Sequence, residues 1–167
     1  MTTNIISPVT KLLDQLNIPY HVITIPLSED QKPIRSLETL LTLQERDPTS
    51  IIRSLLFRTG SNTSVLLAIP GGHRADWSVL RKHLGQRKIK MANLDQVKEV
   101  TGYVVGAVPP IALPENIQVL LDETVSNYLH VVIGSGILGY ALSLSSQDLC
   151  SAMGSAVETG LFTKIDL

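Results

Sequence analysis

Arg53 is the residue whose surroundings point most clearly to chemistry. It lies in segment 51–58, IIRSLLFR, where its neighbours are almost all apolar. An arginine in such a segment needs an anionic partner or a position that faces solvent, because burial of an unpaired charge is costly. Its planar guanidinium group suits a carboxylate or a phosphate. Arg53 is therefore either a ligand-binding residue or a member of a structural ion pair.

A segment rich in glycine and proline, Thr101–Pro110 with the sequence TGYVVGAVPP, could supply free backbone amides. Its Val and Tyr residues favour a strand, whereas Gly102 and Gly106 favour a bulge or a place where another group approaches the backbone. Pro109 and Pro110 have no N–H donors and force an extended exit. The segment predicts either the wall of a small pocket or a core strand that ends in a turn.

A second glycine loop supports a competing hypothesis. Gly134, Gly136 and Gly139 form a literal G-x-G-x-x-G pattern after the apolar run HVVI, and Glu158 follows at roughly the separation expected of a ribose-binding acid. In a dinucleotide-binding fold, however, such a loop opens a helix. Here the next residues, YALSLSS, alternate as a strand would. Nucleotide binding at Gly134–Gly139 therefore stays an alternative hypothesis.

Positive charge is concentrated in one stretch of a chain whose formal net charge is −1. Residues 77–94 contain no Asp or Glu, and Arg74 lies just upstream. One interpretation is a solvated helix face, and the other is a local phosphate-binding patch. The cations of this stretch include Arg81, Lys82, Arg87, Lys88 and Lys90.

The sequence predicts neither a metal site nor a protein nucleophile. Its histidines are scattered, and Cys150 is the only cysteine, whereas zinc sites need ligands at defined spacings. Ser135 does not form a G-x-S-x-G elbow, because Gly134 directly precedes it. We therefore expect no metal and no cofactor.

The composition is typical of one ordinary globular domain. Apolar residues make up 44% of the chain and charged residues 17%, which is enough for a core and argues against a long disordered tail. A single cysteine excludes an intrachain disulfide and fits a reducing compartment. The beginning of the chain, MTTNIISPVTK, lacks the pattern of a signal peptide, and no apolar run approaches the roughly 18 residues of a membrane span. We expect one domain over residues 1–167 in the cytoplasm, with no membrane contact.

Helices and strands must position these groups, and their pattern predicts an α+β fold. Helical spacing of apolar residues after caps such as Ser7, Asp76 and Asn93 marks the helices, and alternation marks the strands. Segment 51–58 is ambiguous between a helix end and a buried strand, and 88–91 could be a short strand. Because the elements interleave without strict βαβ alternation, we expect a mixed central sheet flanked by helices. The predicted helices cover residues 8–16, 36–43, 76–84, 93–100 and 145–153, and the predicted strands cover 20–25, 64–69, 117–121, 129–133 and 140–144.

The order of these blocks resembles the YbaK/ProX family of freestanding prolyl-tRNA-editing-type deacylases, which are related to the insertion domain of bacterial prolyl-tRNA synthetases. The resemblance covers nearly the whole chain, through YHVITI, SIIRSLLF, PGGHRADWSVLRKHLG, TGYVVGAVPP, VLLDE and the GSGILG loop. It implies a mixed sheet, no metal, and a pocket that hydrolyses the ester of a mischarged Ala-, Cys- or Ser-tRNA. The implied partners are tRNA and, as a second candidate, an aminoacyl-tRNA synthetase.

The resemblance also implies roles for individual residues. Arg53 takes the position of the family's key lysine, and Gly106 with Pro110 matches a G-x-x-x-P segment beside the pocket. We expect Arg53 and Gly106 to act in catalysis, with a water attacking the ester while backbone amides stabilise the oxyanion. We expect the cations of the basic stretch, with Arg74, to bind tRNA. The implied substrate-binding residues are Tyr20, Gly102, Ala107, Pro110, Gly134, Ser135 and Gly136.

The chain departs from the family pattern at three places. An arginine at position 53 does not readily lose a proton, unlike a lysine. Ala107 adds a methyl group where a glycine pair is usual. Residues 137–141 lack the basic and acidic residues common after the second glycine loop. These departures favour an alternative, a non-catalytic module of the same fold that binds tRNA or a synthetase.

Overall fold

The fold is seen in a computed structural model that describes residues 4–165. All five predicted helices are confirmed, and the ambiguous segment 51–58 belongs to a strand. No helix among the described residues is long and apolar enough to cross a membrane. The helices are α1 (Pro8–Gln15), α2 (Leu37–Leu43), α3 (Trp77–Leu84), α4 (Leu94–Thr101) and α5 (Ser146–Met153), with short 3₁₀-helices at Pro48–Ser50 and Glu123–Asn127. The strands are β1 (His21–Thr24), β2 (Ile52–Thr59), β3 (Ser64–Pro70), β4 (His73–Ala75), β5 (Ile89–Met91), β6 (Gln118–Asp122), β7 (His130–Gly134), β8 (Tyr140–Ser145), β9 (Glu158–Gly160) and β10 (Thr163–Ile165).

Capping side chains fix where the helices begin. The Ser7 hydroxyl accepts from the Thr10 N–H at 3.2 Å, and the Thr10 hydroxyl accepts from the Ser7 N–H at 2.9 Å. This capping box satisfies two donors that the helix itself cannot pair. Asp76 and Asn93 cap α3 and α4, and each such cap contributes about 1 kcal/mol. The predicted helix starts therefore have a direct physical cause.

A five-stranded mixed sheet lies at the centre, in the order β5-β2-β3-β6-β9. β3 pairs antiparallel with β2 and parallel with β6, and every residue of β3 is buried. α3 packs through Leu80 against the face that contains Phe57. α4 packs through Val97 against Leu56 on the opposite face. Cover on both faces explains the continuous apolar run of β3 and confirms the expected mixed sheet flanked by helices.

A smaller antiparallel sheet, β1-β8-β7, joins the central sheet at the start of β2. The join is a single parallel bridge between Ile51 and Val132. The glycine loop links β7 to β8 as an antiparallel hairpin. The loop therefore opens a strand, and the helix N-terminus that a dinucleotide would need is missing from this position. Glu158 lies on β9, where it accepts from Gln118 at 2.6 Å. Because the loop is a hairpin turn, the structure does not support nucleotide binding at Gly134–Gly139.

The expectation of a strand in Thr101–Pro110 is wrong, because this segment is a series of turns. α4 continues to Thr101 and ends at Gly102, which has a left-handed φ of 82°. The Ala107 N–H then donates to the Val104 carbonyl at 3.0 Å and closes a turn. β-branched residues favour a strand only beside a partner strand, and no described strand pairs with this segment.

These turns are held against the glycine loop by direct contact between the two backbones. The Gly136 N–H donates to the Ala107 carbonyl at 2.9 Å. A Cβ atom at Gly134 would lie 2.4 Å from the Val108 carbonyl oxygen, which is closer than non-bonded atoms can approach. Glycine at position 134 is therefore a condition for the contact, and the contact sets the position of the turns.

Gly134→Ala should destabilise the protein strongly. The added methyl group would overlap the Val108 carbonyl, and the two segments could separate only by breaking the hydrogen bond between Gly136 and Ala107. We expect the free energy of unfolding to fall by about 3 kcal/mol, as measured by urea denaturation.

Gly60→Ala is the matched control for this variant. A Cβ atom at Gly60 would meet no atom closer than 3.5 Å, so we expect a change of less than about 1 kcal/mol. Equal losses of stability in the two variants would contradict the importance of the contact at Gly134.

Candidate functional site

The candidate site lies where β2 lacks a neighbouring strand on one edge. The pairing of β2 with β5 covers only Phe57–Thr59, and the bridge from Ile51 to Val132 lies at the other end. Between these contacts, the edge formed by residues 53–55 pairs with no strand among the described residues. An unpaired edge leaves backbone donors and acceptors free. This edge is one wall of a cavity.

The cavity has a volume of about 400 Å³ and a mostly apolar lining. Cavities of this size bind small ligands, which a few polar groups then orient. The walls come from residues 51–56 of β2, from the turns after α4, from α4 itself and from the β7–β8 hairpin. Lining residues outside β2 include Leu94, Val97, Val105, Gly106, Ile133 and Gly134.

Gly106 provides one of the polar groups, because its backbone N–H has no acceptor among the described residues. Two nearby N–H groups are already used, because that of Ala107 donates to the Val104 carbonyl within the turn and that of Gly136 donates to the Ala107 carbonyl across the two loops. Gly106 has a φ of 97°, which favours glycine. A Cβ atom there would also approach Leu138 Cδ2 to 3.3 Å. Gly106 therefore lines the cavity with an amide that is available to a ligand.

Ser54, which the sequence did not indicate, provides a second polar group. Its hydroxyl is buried and has no hydrogen-bond partner among the described residues. The Leu56 carbonyl accepts from the Ala92 N–H at 2.9 Å, so strand alternation directs the Ser54 peptide groups towards the same edge. That edge is unpaired at position 54. Ser54 thus brings backbone groups to the cavity lining, whereas its hydroxyl oxygen is shielded from solvent.

Arg53 lines the cavity, but its guanidinium group is turned towards β4. Its Nη2 atom donates to the His73 carbonyl at 2.9 Å, and the residue is exposed. It forms no ion pair with a carboxylate among residues 4–165. The solvent-facing alternative therefore holds. Because a guanidinium has five N–H donors, most of them stay free for a ligand.

Several of the expected substrate-binding residues do not line the cavity. Tyr20 packs beside α1, where burial and the nearby Asp14 carboxylate raise its pKa. Ser135 is fully buried, and its hydroxyl donates to the Tyr140 carbonyl at 2.7 Å. The expected residues outside the lining are Tyr20, Gly102, Ala107, Pro110, Ser135 and Gly136, whereas Arg53, Gly106 and Gly134 are within it.

A basic cleft of about 760 Å³ is lined in part by β2, β5 and α4, which also contribute residues to the cavity. Its cations form no ion pair with a carboxylate in the described part of the chain. Arg58 belongs to it because the antiparallel register pairs Arg58 with Lys90, which the sequence does not reveal. Lys82 lies at a neighbouring depression and Arg74 on β4. We call the five lining cations the basic cleft; they are Arg58, Arg81, Arg87, Lys88 and Lys90.

The cavity lining contains no activated nucleophile. No histidine lines it to take a proton from Ser54. Cys150 lies on α5 outside the lining, and burial raises the pKa of its thiol, which disfavours the reactive thiolate. Among the described residues, no three His, Cys, Asp or Glu side chains cluster as metal ligands. The lining thus offers hydrogen-bond donors but no activated protein nucleophile among the described residues.

The chain matches known proteins over most of its length. The family model for the aminoacyl-tRNA editing domain matches residues 31–152. A relative in Enterococcus faecalis, named "Putative Cys-tRNA(Pro)/Cys-tRNA(Cys) deacylase EbsC", is 24% identical over 141 residues, which cover 84% of each chain. A "Proline--tRNA ligase" of Streptococcus mutans is 28% identical over 109 residues, which cover 65% of this chain but only 18% of the ligase.

The fold is also similar to that of a solved protein. A crystal structure of "a putative trans-editing enzyme for prolyl tRNA synthetase" matches with a TM-score of 0.77 and 20% identity. The match covers 94% of this chain and 95% of that one. At this level of identity the likeness establishes a shared fold, in agreement with the α+β architecture expected from the sequence.

Ser54→Ala should leave the protein as stable as the wild type or more stable. A buried hydroxyl without a partner carries a desolvation cost, so its removal should raise the free energy of unfolding by up to about 1 kcal/mol. Urea denaturation measures this change.

Ser143→Ala is the control, because the Ser143 hydroxyl is buried and accepts from Arg46 at 2.8 Å. Its removal should lower stability by about 1 kcal/mol. If Ser54→Ala lowers stability as much as Ser143→Ala does, the Ser54 hydroxyl has a partner in the folded protein and the prediction is wrong.

Proposed function

The chain belongs to the family of aminoacyl-tRNA editing domains, and we propose that it hydrolyses the ester of a mischarged aminoacyl-tRNA whose amino acid is Ala, Cys or Ser. The proposal extends to action in trans, as a protein separate from the synthetase. The EbsC relative, which this chain matches over 84% of its length, supports that view. The ligase activity of the larger relatives lies outside the proposal, since the matched region is a small part of their length.

The observation that supports this function best is the small apolar cavity with few polar groups. A synthetase rejects a smaller amino acid weakly, because one methylene contributes only about 1–3 kcal/mol to discrimination. A second site that admits only small side chains corrects the error. A cavity of about 400 Å³ lined largely by Ile, Leu and Val has room for an aminoacyl group, and it offers no charged partner to a polar side chain apart from Arg53.

In the proposed mechanism a water attacks the ester carbonyl carbon. The carbonyl oxygen becomes an oxyanion, which the Gly106 N–H and the backbone N–H of Ser54 at the unpaired edge stabilise. The bond between the carbonyl carbon and the ribose oxygen then breaks, and the ribose oxygen takes the proton that the water releases. The products are the free amino acid and the tRNA. Loss of one oxyanion donor in such sites typically lowers kcat by about 10²–10³-fold.

Arg53 orients the substrate in this proposal and does not act as a base. A guanidinium retains its proton in proteins, but its fork can donate to a phosphate or to ribose oxygens. The hydrogen bond from Arg53 to the His73 carbonyl favours the alternative of a non-catalytic module, because it engages the guanidinium group at β4. The two possibilities differ in whether any mischarged tRNA is hydrolysed.

The basic cleft is the proposed tRNA-binding surface. Arg and Lys bind phosphate groups through electrostatic attraction, which weakens as the salt concentration rises. The cations of the cleft form no ion pair with a carboxylate among the described residues. A local patch of this kind allows tRNA binding by a protein whose formal net charge is −1. An aminoacyl-tRNA synthetase is a second candidate partner.

Deacylation assays on Ala-, Cys- and Ser-tRNA, with Pro-tRNA as the excluded substrate, test the activity and the role of Arg53. We expect the wild type to hydrolyse at least one small aminoacyl ester and to spare Pro-tRNA. Arg53→Ala should lower kcat/KM by about tenfold or more, because a charge-assisted hydrogen bond to the substrate is lost. Arg53→Lys should retain the activity of the wild type or exceed it.

Lys11→Ala is the control for these assays, since Lys11 is an exposed cation on α1. It should leave kcat/KM unchanged. Full activity in Arg53→Ala would show that the role given to Arg53 is wrong. Binding of tRNA without hydrolysis of any tested ester would favour the non-catalytic module.

The pair Lys88→Gln and Lys90→Gln tests the basic cleft. The double variant should bind tRNA more weakly, and the slope of log K against log salt concentration should become shallower by about 0.7–0.9 for each lost phosphate contact. Filter binding at several salt concentrations measures both quantities.

The matched control removes two exposed lysines elsewhere, Lys11→Gln and Lys32→Gln. It changes the net charge by the same amount, so an effect of total charge alone would appear equally in both double variants. Equal effects would overturn the assignment of tRNA binding to the cleft.

A further inference from the structure

Three large apolar side chains at the mouth of the cavity are exposed. Leu94 is 69% exposed, Val105 49% and Met91 45%, and all three line the cavity opening. The core contacts of β5 and α4 are made by other residues, such as Ile89 and Val97. The folded chain therefore gains little from apolar side chains at these three positions, and a ligand that covers them would gain from their burial.

The basic cleft begins next to this apolar rim. On β5, Lys90 lines the cleft and Met91 lines the cavity; on α4, Gln96 lines the cleft and Val97 the cavity. On β2 the same change occurs between Arg58 and Leu56. Two of these elements, β2 and β5, contribute cations to the cleft, α4 contributes the neutral Gln96, and all three contribute apolar residues to the cavity, so the cleft and the cavity border the same elements.

We infer that Met91 and Leu94 form a platform for the terminal nucleobase of the acceptor strand. The inference rests on the proposed function and adds a binding site for the nucleoside. Bases stack on apolar side chains as well as on aromatic ones. With the base on this platform, the acyl group enters the cavity towards Gly106, and the preceding phosphates lie along the basic cleft.

The covalent structure of an aminoacyl nucleotide is what requires this arrangement. The acyl ester, the base and the 5′-phosphate are attached to a single ribose, so their three binding sites must meet at one place. An apolar cavity, an exposed apolar rim and an unpaired cationic surface do meet at the connection between β5 and α4. An apolar helix of a partner protein would use the rim but would leave the cations unmatched, and a free phosphate would use the cations alone.

A binding experiment without hydrolysis tests the inference. The probes are a short uncharged RNA that ends in C-C-A and the same RNA with an abasic 3′-terminal nucleotide, measured by fluorescence anisotropy. The wild type should bind the complete RNA about fivefold to tenfold more tightly than the abasic RNA. Leu94→Ala and Met91→Ala should reduce this ratio towards one and leave binding of the abasic RNA unchanged. Leu94→Phe should increase the ratio, because an aromatic face stacks better.

Leu129→Ala is the control, since Leu129 is 77% exposed and lines neither the cleft nor the cavity; it should change neither affinity. A ratio that stays constant in the Leu94 and Met91 variants overturns the platform, even if the protein hydrolyses mischarged tRNA. An equal loss of affinity for both RNAs would also overturn the platform, because the substitutions would then have disturbed the fold and not a base-binding site. Base-dependent binding without hydrolysis of any ester would support the platform and count against the deacylase function.

Discussion

The site depends on one contact between two backbones, at Gly134. No side chain fits between this residue and the Val108 carbonyl, where a Cβ atom would lie 2.4 Å from the oxygen. Because the glycine loop and the turns after α4 touch here, the hydrogen bond from Gly136 to Ala107 can form. That bond uses the Gly136 N–H in a structural role, and the turn that it holds uses the Ala107 N–H, which donates to the Val104 carbonyl. It leaves Gly106, whose positive φ again favours glycine, as the amide available to a ligand.

The second condition is a sheet that is left incomplete. β5 is only three residues long, and the smaller sheet meets β2 by one bridge, so a stretch of β2 has no partner on that side. A free edge in the open is a hazard for aggregation, but here α4 and the turns cover it and enclose a cavity. The same gap explains Ser54, whose hydroxyl lacks a partner among the described residues. The cavity and an unsatisfied polar group thus occur at the same gap in the sheet.

Sequence patterns predicted the elements well where local chemistry decides them, and less well where pairing does. Caps at Ser7, Asp76 and Asn93 marked helix starts that the structure confirms. Thr101–Pro110 has the composition of a strand but no strand beside it, and the three-residue strands β4, β9 and β10 are too short to show alternation. In the site, the sequence indicated Arg53, because it is a charged residue among apolar neighbours. Ser54 and Arg58 were not predictable, because their roles follow from the length and register of β5.

The cations of the basic cleft lie outside the apolar cavity, and this arrangement suits an ester as the substrate. The reacting bond is neutral, and charge develops on the carbonyl oxygen only as the water attacks. Fixed donors in an apolar cavity stabilise that developing charge more than they would in water, since the local dielectric is low. Cations inside the cavity would instead draw in phosphates and water. The chain keeps the basic cleft outside, beside the apolar rim, and admits Arg53 only at the edge, where its guanidinium reaches the His73 carbonyl. In the proposed function, charge therefore holds the nucleic acid while neutral donors act on the ester.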